Sequence, residues 1–454
     1  MTFAADFTPF FRTATGNGSD HARAYLFGLF QGQRGRKNIE RMEETVPDLN
    51  YQGVQQFISD SPWEADGVFA EVAHQADGFL GGASDSRLII DDSGTSKKGV
   101  KSVGVNRQYN GNLGKVDNCQ VAVFAALSAG RLGTLIGTRL YLPESWCNAP
   151  ERCLEAGIPE PEQRFRTKPE LALELVREAR ARGVRFGITC ADGGYGQFPS
   201  FLRALDDMQE TFVIEVHCDQ RIYSDAPWPE EIAECAAGAK PRRRKQNGGT
   251  PQRIDTWVNS LPEEDWERLK VRDSTQGWVE VNYVASRMWV WDGKEDRARI
   301  WWALAWQNPD EGPKGRIHYA LSNAPADAVA SEVVKHGVHR FWVERSLQDG
   351  KSEAGLSDYQ TRGWLAWQHH MSLVMLMMLF ILKEKVLHSA TTPELPLSAG
   401  DIVLVLSKLL PQRTMGFKEV CDLVETRRGK RLVDQRRRRR KTALNRPPFG
   451  PLEI

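Results

Sequence analysis

Apolar and polar positions change period several times along the chain. Residues 1–80 carry helical spacing. Ala22 to Met42 is one such stretch, and Gly32 and Gly35 break it into two helices. Gly53 to Asp60 and Trp63 to His74 read as further short helices. At Arg87 the pattern turns to strand: Arg87-Leu-Ile-Ile-Asp91 is a short apolar run ending in an acid. Strand-like stretches follow at Gly99 to Gln108 and Cys119 to Tyr141, with a hairpin signal at Asn110-Gly111. Pro169 to Gly183 is an amphipathic helix with a glycine stop, and Val184 to Ala191 is a buried strand running into Asp192. This order predicts an α/β core with a mixed sheet over 81–209.

Residues 210–330 are β-rich. Val279, Val281 and Tyr283 alternate with polar neighbours, and six of the fourteen tryptophans lie between 278 and 306. Helical spacing returns over 331–390. The longest apolar run there, Met371 to Leu382, has twelve residues. That is short of the ~18–20 of a membrane span and reads as a buried helix. A basic region, 391–454, ends the chain.

Composition sharpens this outline. A chain of 454 residues holds two to four domains at ~100–200 residues each. With 41% hydrophobic and 26% charged residues, wholesale disorder is excluded. The seven cysteines form no CxxC pair, which argues against a disulfide scaffold or a structural zinc site and for a reducing, cytoplasmic setting. No basic segment precedes an apolar block at the N-terminus, so no secretory leader is expected.

The net charge of +1 hides a strong asymmetry. Residues 427–446 hold eleven Lys/Arg against one acid, so this segment is +10 and the remainder −9. It includes Arg436, Arg437, Arg438, Arg439 and Arg440. Arg242, Arg243 and Arg244 form a second cluster inside a low-complexity loop. Two such clusters are the footprint of a polyanion-binding protein, against the plainer reading of solvated segments. The N-terminal helices, with Arg34, Arg36, Lys37 and Arg41, fit either a DNA-reading or a packing and dimerisation module.

Three carboxylates could carry chemistry. Asp91 and Asp192 end apolar strands, and strand ends converge on one edge of an open α/β sheet. Either could equally be a turn former. Arg340, Glu344 and Lys351 are spaced by four and seven residues, which puts them on one helix stripe; the alternative is an ordinary solvated ion-pair face. Three carboxylates around two Mg²⁺ or Mn²⁺ ions suit in-line phosphoryl displacement, with flanking cations to hold the scissile phosphate. His369-His370 and Ser93 read as structural, since Ser93 has no nearby His/Asp constellation.

These residues also fall into recognisable motifs. Ile90-Asp91-Asp92-Ser93-Gly94 is followed by Lys97-Lys98-Gly99, Ser102 to Tyr109 and Gly114 to Val121. Ala191-Asp192-Gly-Gly-Tyr195-Gly196 and Arg340-x₃-Glu344-x₆-Lys351 complete the set. Over roughly residues 20–385 the chain resembles bacterial DDE transposases of the insertion-sequence 4 superfamily, most closely the insertion-sequence 701 group. Two features depart from the pattern. The tyrosine that leads the third motif falls at Gly337, and Asp91 is followed by a second acid, Asp92. Family pattern and strand register both favour Asp91 as the metal-facing residue.

The resemblance implies an RNase H-like catalytic core interrupted by a β-rich insertion domain over 210–330, preceded by a helical DNA-binding region. It implies Asp91, Asp192 and Glu344 as catalytic ligands of two Mg²⁺ or Mn²⁺ ions, with Lys97, Lys98, Tyr195, Arg340 and Lys351 along the DNA. Trp289, Trp291, Trp301, Trp302 and Trp306 become candidates for stacking on a flipped base, or for the packing of the β-rich stretch. The expected partners are double-stranded DNA, as element ends and target, and a second copy of the chain in the active complex. The expected location is cytoplasmic, on the nucleoid when DNA-bound. Two other readings stay open: a metal-dependent nuclease without strand transfer, and a non-catalytic DNA-binding regulator.

Overall fold

The computed structural model describes residues 5–14, 16–227, 249–274, 277–293, 298–309, 315–391 and 396–444. The N-terminal helices are α1 (Ser19–Gln31), α2 (Tyr51–Ser59) and α3 (Ala65–Leu80). A single turn at Ile39–Met42 follows the break at Gly32 and Gly35. Asn50 caps α2 by accepting from the Gly53 N–H at 2.9 Å.

The sheet begins with β1 (Arg87–Ser96), β2 (Asn106–Asn110), β3 (Lys115–Ala129) and β4 (Leu132–Leu140). The Asn110-Gly111 signal marks a hairpin: Asn110 pairs with Lys115, and Gly114 takes φ +61° in the loop. Helix α4 (Lys168–Ala181) starts with a Thr167/Glu170 capping box and leads to β5 (Ile188–Ala191). Helix α5 (Pro199–Asp207) leads to β6 (Phe212–Val216). β1, β5 and β6 run parallel, while β3 pairs antiparallel with β1, β2 and β4. This is the expected mixed sheet.

The β-rich stretch departs from expectation. Its strands are β7 (Glu267–Ser274), β8 (Gly277–Val290), β9 (Arg299–Gln307) and β10 (Ile317–Ser322). They do not form a separate sheet. β10 pairs antiparallel with β6, from Tyr319↔Val216 to Ser322↔Val213, so one ten-stranded sheet runs from β7 to the β3 hairpins. The physical reason is that β6 would otherwise be an open edge of unpaired N–H and C=O groups. β6 itself, at the start of the expected insertion, belongs to the parallel centre.

Helices α6 (Ala330–Val338), α7 (Phe341–Ser352) and α8 (Trp364–Thr391) follow. α8 contains the predicted apolar run and is much longer than it. By length and composition α8 could cross a bilayer, but 83% of its apolar stretch is buried inside the protein. The N-terminal helices supply much of that cover. His369 stacks on Trp63 at 3.7 Å and contacts the carbonyls of Ile58 and Trp63; the Tyr25 hydroxyl lies 2.7 Å from His370 Nδ1. Both histidines are fully buried, in keeping with a structural role. Lys37 is 1% exposed and donates to the carbonyls of Leu29 and Glu353. It therefore ties the N-terminal region to the end of α7 and does not present a free charge. Helices α9 (Ala399–Leu409) and α10 (Phe417–Leu444) end the described chain, α10 carrying the basic run.

Candidate active site

Successive strand residues point to opposite faces, so Asp91 and Asp92 on β1 part company. Asp92 meets Lys168 Nζ of α4 at 2.9 Å. Asp91 turns to the other face, where Arg340 Nη1 stands 3.8 Å from its Oδ2. Asp192 lies just past β5, beside β1 in the sheet. It caps a one-turn helix, Gly193–Gly196, by accepting from the Gly194 N–H at 3.0 Å. That turn presses on the next strand: a Cβ at Gly196 would lie 1.8 Å from the Glu215 carbonyl oxygen.

Glu344 comes from α7, which runs unbroken through Gly350. A Cβ there would approach Met378 Sδ at 3.3 Å, so the glycine lets α7 lie close to α8. Arg340, at the N-cap of α7, joins the carboxylates. Its Nη2 donates to Glu344 Oε1 at 2.8 Å, and its Nε donates to Glu215 Oε1 at 2.9 Å. Arg340, Asp91 and Glu215 are largely buried, whereas Glu344 is 52% exposed.

Electrostatics separate these acids. Burial, reinforced by Asp192, pushes the Asp91 carboxyl up to about 7 against the pull of Arg340. Burial also raises Asp192, opposed by Arg340. At Glu215 burial acts in the same direction, but a hydrogen bond with His318 and the charge of Arg340 outweigh it and bring the group down to about 2. The site thus pairs two reluctant carboxylates with one held firmly as an anion.

The flanking cations divide. Lys351 Nζ donates to Asn112 Oδ1, in the β2–β3 hairpin, at 2.7 Å. Burial lowers its pKa, against the attraction of Asp91 and Asp92. Lys98 is exposed. Lys97 is not free for DNA: its Nζ sits 3.4 Å over the Tyr359 ring and donates to the Tyr359 carbonyl at 3.1 Å. Tyr195 is likewise corrected. It is 2% exposed and packs on Phe201, so no duplex can reach it; burial, and then Asp92, Asp91 and Asp192, raise its pKa.

Of the tryptophans, Trp301 and Trp306 are buried in the core, which removes them as stacking platforms for a base. Trp289, Trp291 and Trp302 are half-buried, and Trp302 Nε1 donates to the Pro325 carbonyl at 3.1 Å. Trp278, absent from the expected set, is 60% exposed. Arg242, Arg243 and Arg244 lie outside the described residues. Arg436, Arg437 and Arg439 are exposed on α10; Arg438 and Arg440 lie on the same helix, with side chains outside the described set.

Among the described residues, no three His, Cys, Asp or Glu side chains stand close enough together to enclose an ion. The Glu344 carboxylate is instead paired with Arg340. The donor set nevertheless fits a hard divalent cation. Asp91 and Asp192 offer oxygen ligands only, and a bound cation would stabilise the ionised form that burial disfavours in each.

Sequence reasoning missed Glu215 and His318. The signal for Glu215 was present: an acid interrupts the apolar strand Phe-Val-Ile-Glu-Val. His318 carried none.

Comparison with known proteins points the same way. The family described as DDE superfamily endonuclease matches residues 7–277, which include Asp91 and Asp192 and stop before Glu344. A probable transposase for insertion sequence element IS701, from Microchaete diplosiphon, is 27% identical over 334 residues, 72% of each chain.

Proposed function

The chain belongs to the DDE superfamily of endonucleases, and on that premise we propose that it is a DNA transposase that cuts the ends of its own element and joins them to target DNA. The observation that supports this reading is that Arg340 pairs with Glu344 at 2.8 Å and stands 3.8 Å from Asp91, while its charge also acts on Asp192. Asp91, Asp192 and Glu344 would hold the metal. What Mg²⁺ or Mn²⁺ supplies there, as two ions, is a lowered pKa for the attacking hydroxyl and a stabilised leaving oxygen.

The chain's own residues do the rest. Arg340 offers two Nη groups in the fork geometry that suits phosphate oxygens, and Lys351 adds a point charge near Asp91. Water attacks the phosphodiester at the element end: one P–O bond forms, one breaks, and a 3′-hydroxyl is freed. That hydroxyl then attacks a target phosphodiester by the same exchange, so no covalent protein–DNA link is needed. Acting on two ends calls for two copies of the chain. The exposed arginines of α10 would track the phosphates, and the location is the nucleoid of the cytoplasm.

The test incubates purified protein with DNA carrying the element's own ends and a separate target plasmid, in Mg²⁺ or Mn²⁺. Joined products are expected. Cutting without joining would support the nuclease, and binding without cutting the regulator.

A further inference from the structure

Glu215 is neither Asp91 nor Asp192, nor does it lie on the helix carrying Glu344, yet it makes the closest contact to Arg340 from the sheet. Its carboxylate is shared. Oε1 accepts from Arg340 Nε at 2.9 Å, and Oε2 faces His318 Nδ1 at 3.5 Å. His318, on β10, pairs in register with Trp306 on β9 and stacks on it at 5.6 Å, with the rings 3° from parallel. Trp306 in turn presses on the end of α6: a Cβ at Gly337 would lie 2.8 Å from the indole. Four residues therefore form a continuous stack behind the guanidinium, reaching from β9 through β10 and β6 to α7.

We propose that Glu215 and His318 are positioning residues for Arg340, resting on the reading above that Arg340 serves phosphodiester cutting. A guanidinium has five N–H donors in one plane. Anchoring Nε to Glu215 fixes that plane and leaves Nη1 and Nη2 directed at Asp91 and Glu344, where the phosphate would lie. Without the anchor the long side chain gains rotamer freedom, and the two-pronged contact loses its aim. His318 orients the carboxylate so that one oxygen stays with Arg340, and Trp306 holds the imidazole plane. The absence of a side chain at position 337 is then functional: it makes room for the indole. This gives the strands of the β-rich stretch a direct part in the site.

The test uses the full chain and a plasmid carrying the element's own ends, in Mn²⁺. Glu215→Gln keeps the size and removes the charge. Single-turnover cutting is expected to fall about 10- to 100-fold, from the loss of one charge-assisted hydrogen bond, while DNA affinity and a cooperative melting curve persist. The double variant Glu215→Gln/Arg340→Lys should cut no more slowly than Arg340→Lys alone, because both changes remove the same contact. Independent, multiplying losses would overturn the proposal, as would unchanged cutting by Glu215→Gln. If that variant does not fold, His318→Gln enters the same cycle. A second readout needs no cutting. The Nε–H resonance of Arg340, assigned by its absence from Arg340→Lys, should exchange slowly in the wild type and be lost in the Glu215 or His318 variant. Its persistence there sinks the proposal. If the wild type fails to cut while the resonance behaves as expected, the functional reading fails and the positioning stands.

Discussion

Arg340 and Glu344 lie one helical turn apart and are joined by a 2.8 Å hydrogen bond between Nη2 and Oε1. The third carboxylate is thus neutralised by the side chain expected to greet the phosphate. Binding of DNA and cation would exchange that contact for two others, and each carboxylate would become a ligand. Replacing Asp91, Asp192 or Glu344 by Ala should therefore cut the cleavage rate about a thousandfold or more, since several kcal/mol of transition-state stabilisation are lost at ~1.4 kcal/mol per tenfold. DNA affinity should survive, because most of it comes from backbone contacts elsewhere. Gel-shift and cleavage assays on the same variants check both halves. If Asp92→Ala abolishes cutting and Asp91→Ala does not, the register assignment fails.

Asp91 should be a site of stored instability. Its folded pKa, about 7, lies above the ordinary carboxylate value of 3.8. The folded state therefore holds the proton more tightly, and this group's contribution to stability falls as pH rises from about 4 to about 7. In EDTA, Asp91→Asn should melt higher than wild type at pH 8, with the difference shrinking toward pH 5. A difference that grows on acidification would contradict the assignment. Added Mg²⁺ or Mn²⁺ should raise the melting temperature of the wild type and leave that of Asp91→Asn nearly unmoved.

Lys351→Ala should slow cutting more than it weakens the fold. The amine's recorded partner is Asn112, and a part-exposed contact of this kind contributes about 0.5–1.5 kcal/mol to stability. Its charge acts on Asp91 and Asp92 in the free protein and would gain a further role with a bound phosphate. Parallel melting and single-turnover measurements separate the two effects. Equal losses in both would mean that Lys351 is merely a strut.

Gly337→Ala should destabilise the protein by about 1–3 kcal/mol, the usual penalty for overpacking. The new methyl would meet the Trp306 indole at 2.8 Å and Val213 at 3.2 Å. Trp306→Leu, which trims the obstacle, should recover part of that loss in the double variant. Denaturant titrations of the four proteins decide it. Full additivity would place the two residues out of contact.

Truncation after Glu425 removes the arginine-rich stretch of α10. With half of the eleven cations over residues 427–446 engaged, the log–log salt dependence of DNA binding should flatten by roughly five units, at −0.9 per phosphate. Preference for specific over random DNA should hold, since phosphate contacts carry no direct sequence information. An unchanged slope would make the stretch a solubilising extension. Titrations across a salt series provide the measurement.

Much of this was legible in the residues, for identifiable reasons. The strand carrying Asp91, the strand end before Asp192, and the helix carrying Glu344 and Lys351 follow from period and β-branching, which are local signals. That β1 runs on past Asp91 to Ser96, so that Asp91 sits mid-strand and not at its end, rests on pairing with β3 and was not legible. The partition of the chain was read less well. Alternation over 277–307 predicts strands, but not the edge they join, which is offered by β6, about a hundred residues before the β10 that pairs with it. The fate of individual tryptophans and of Lys97 was equally illegible, because spacing cannot separate a ring that faces solvent from one that meets Phe212 or His318. Glu215 escaped because a lone acid in a strand acquires meaning only beside Arg340.

The stack of His369 on Trp63 also sets a timetable for synthesis. Its partners are 306 residues apart, so at ~5–20 residues per second the first must wait about 15–60 s for the second to leave the ribosome. Until then the N-terminal helices lack the surface they bury against. The nascent chain would spend that interval with apolar faces open to chaperones, and the helix carrying Glu344 would dock on the strand of Asp91 only shortly before the closing helix arrives. A chain interlocked in this way gains its ability to break DNA late, when nearly all of it has been made.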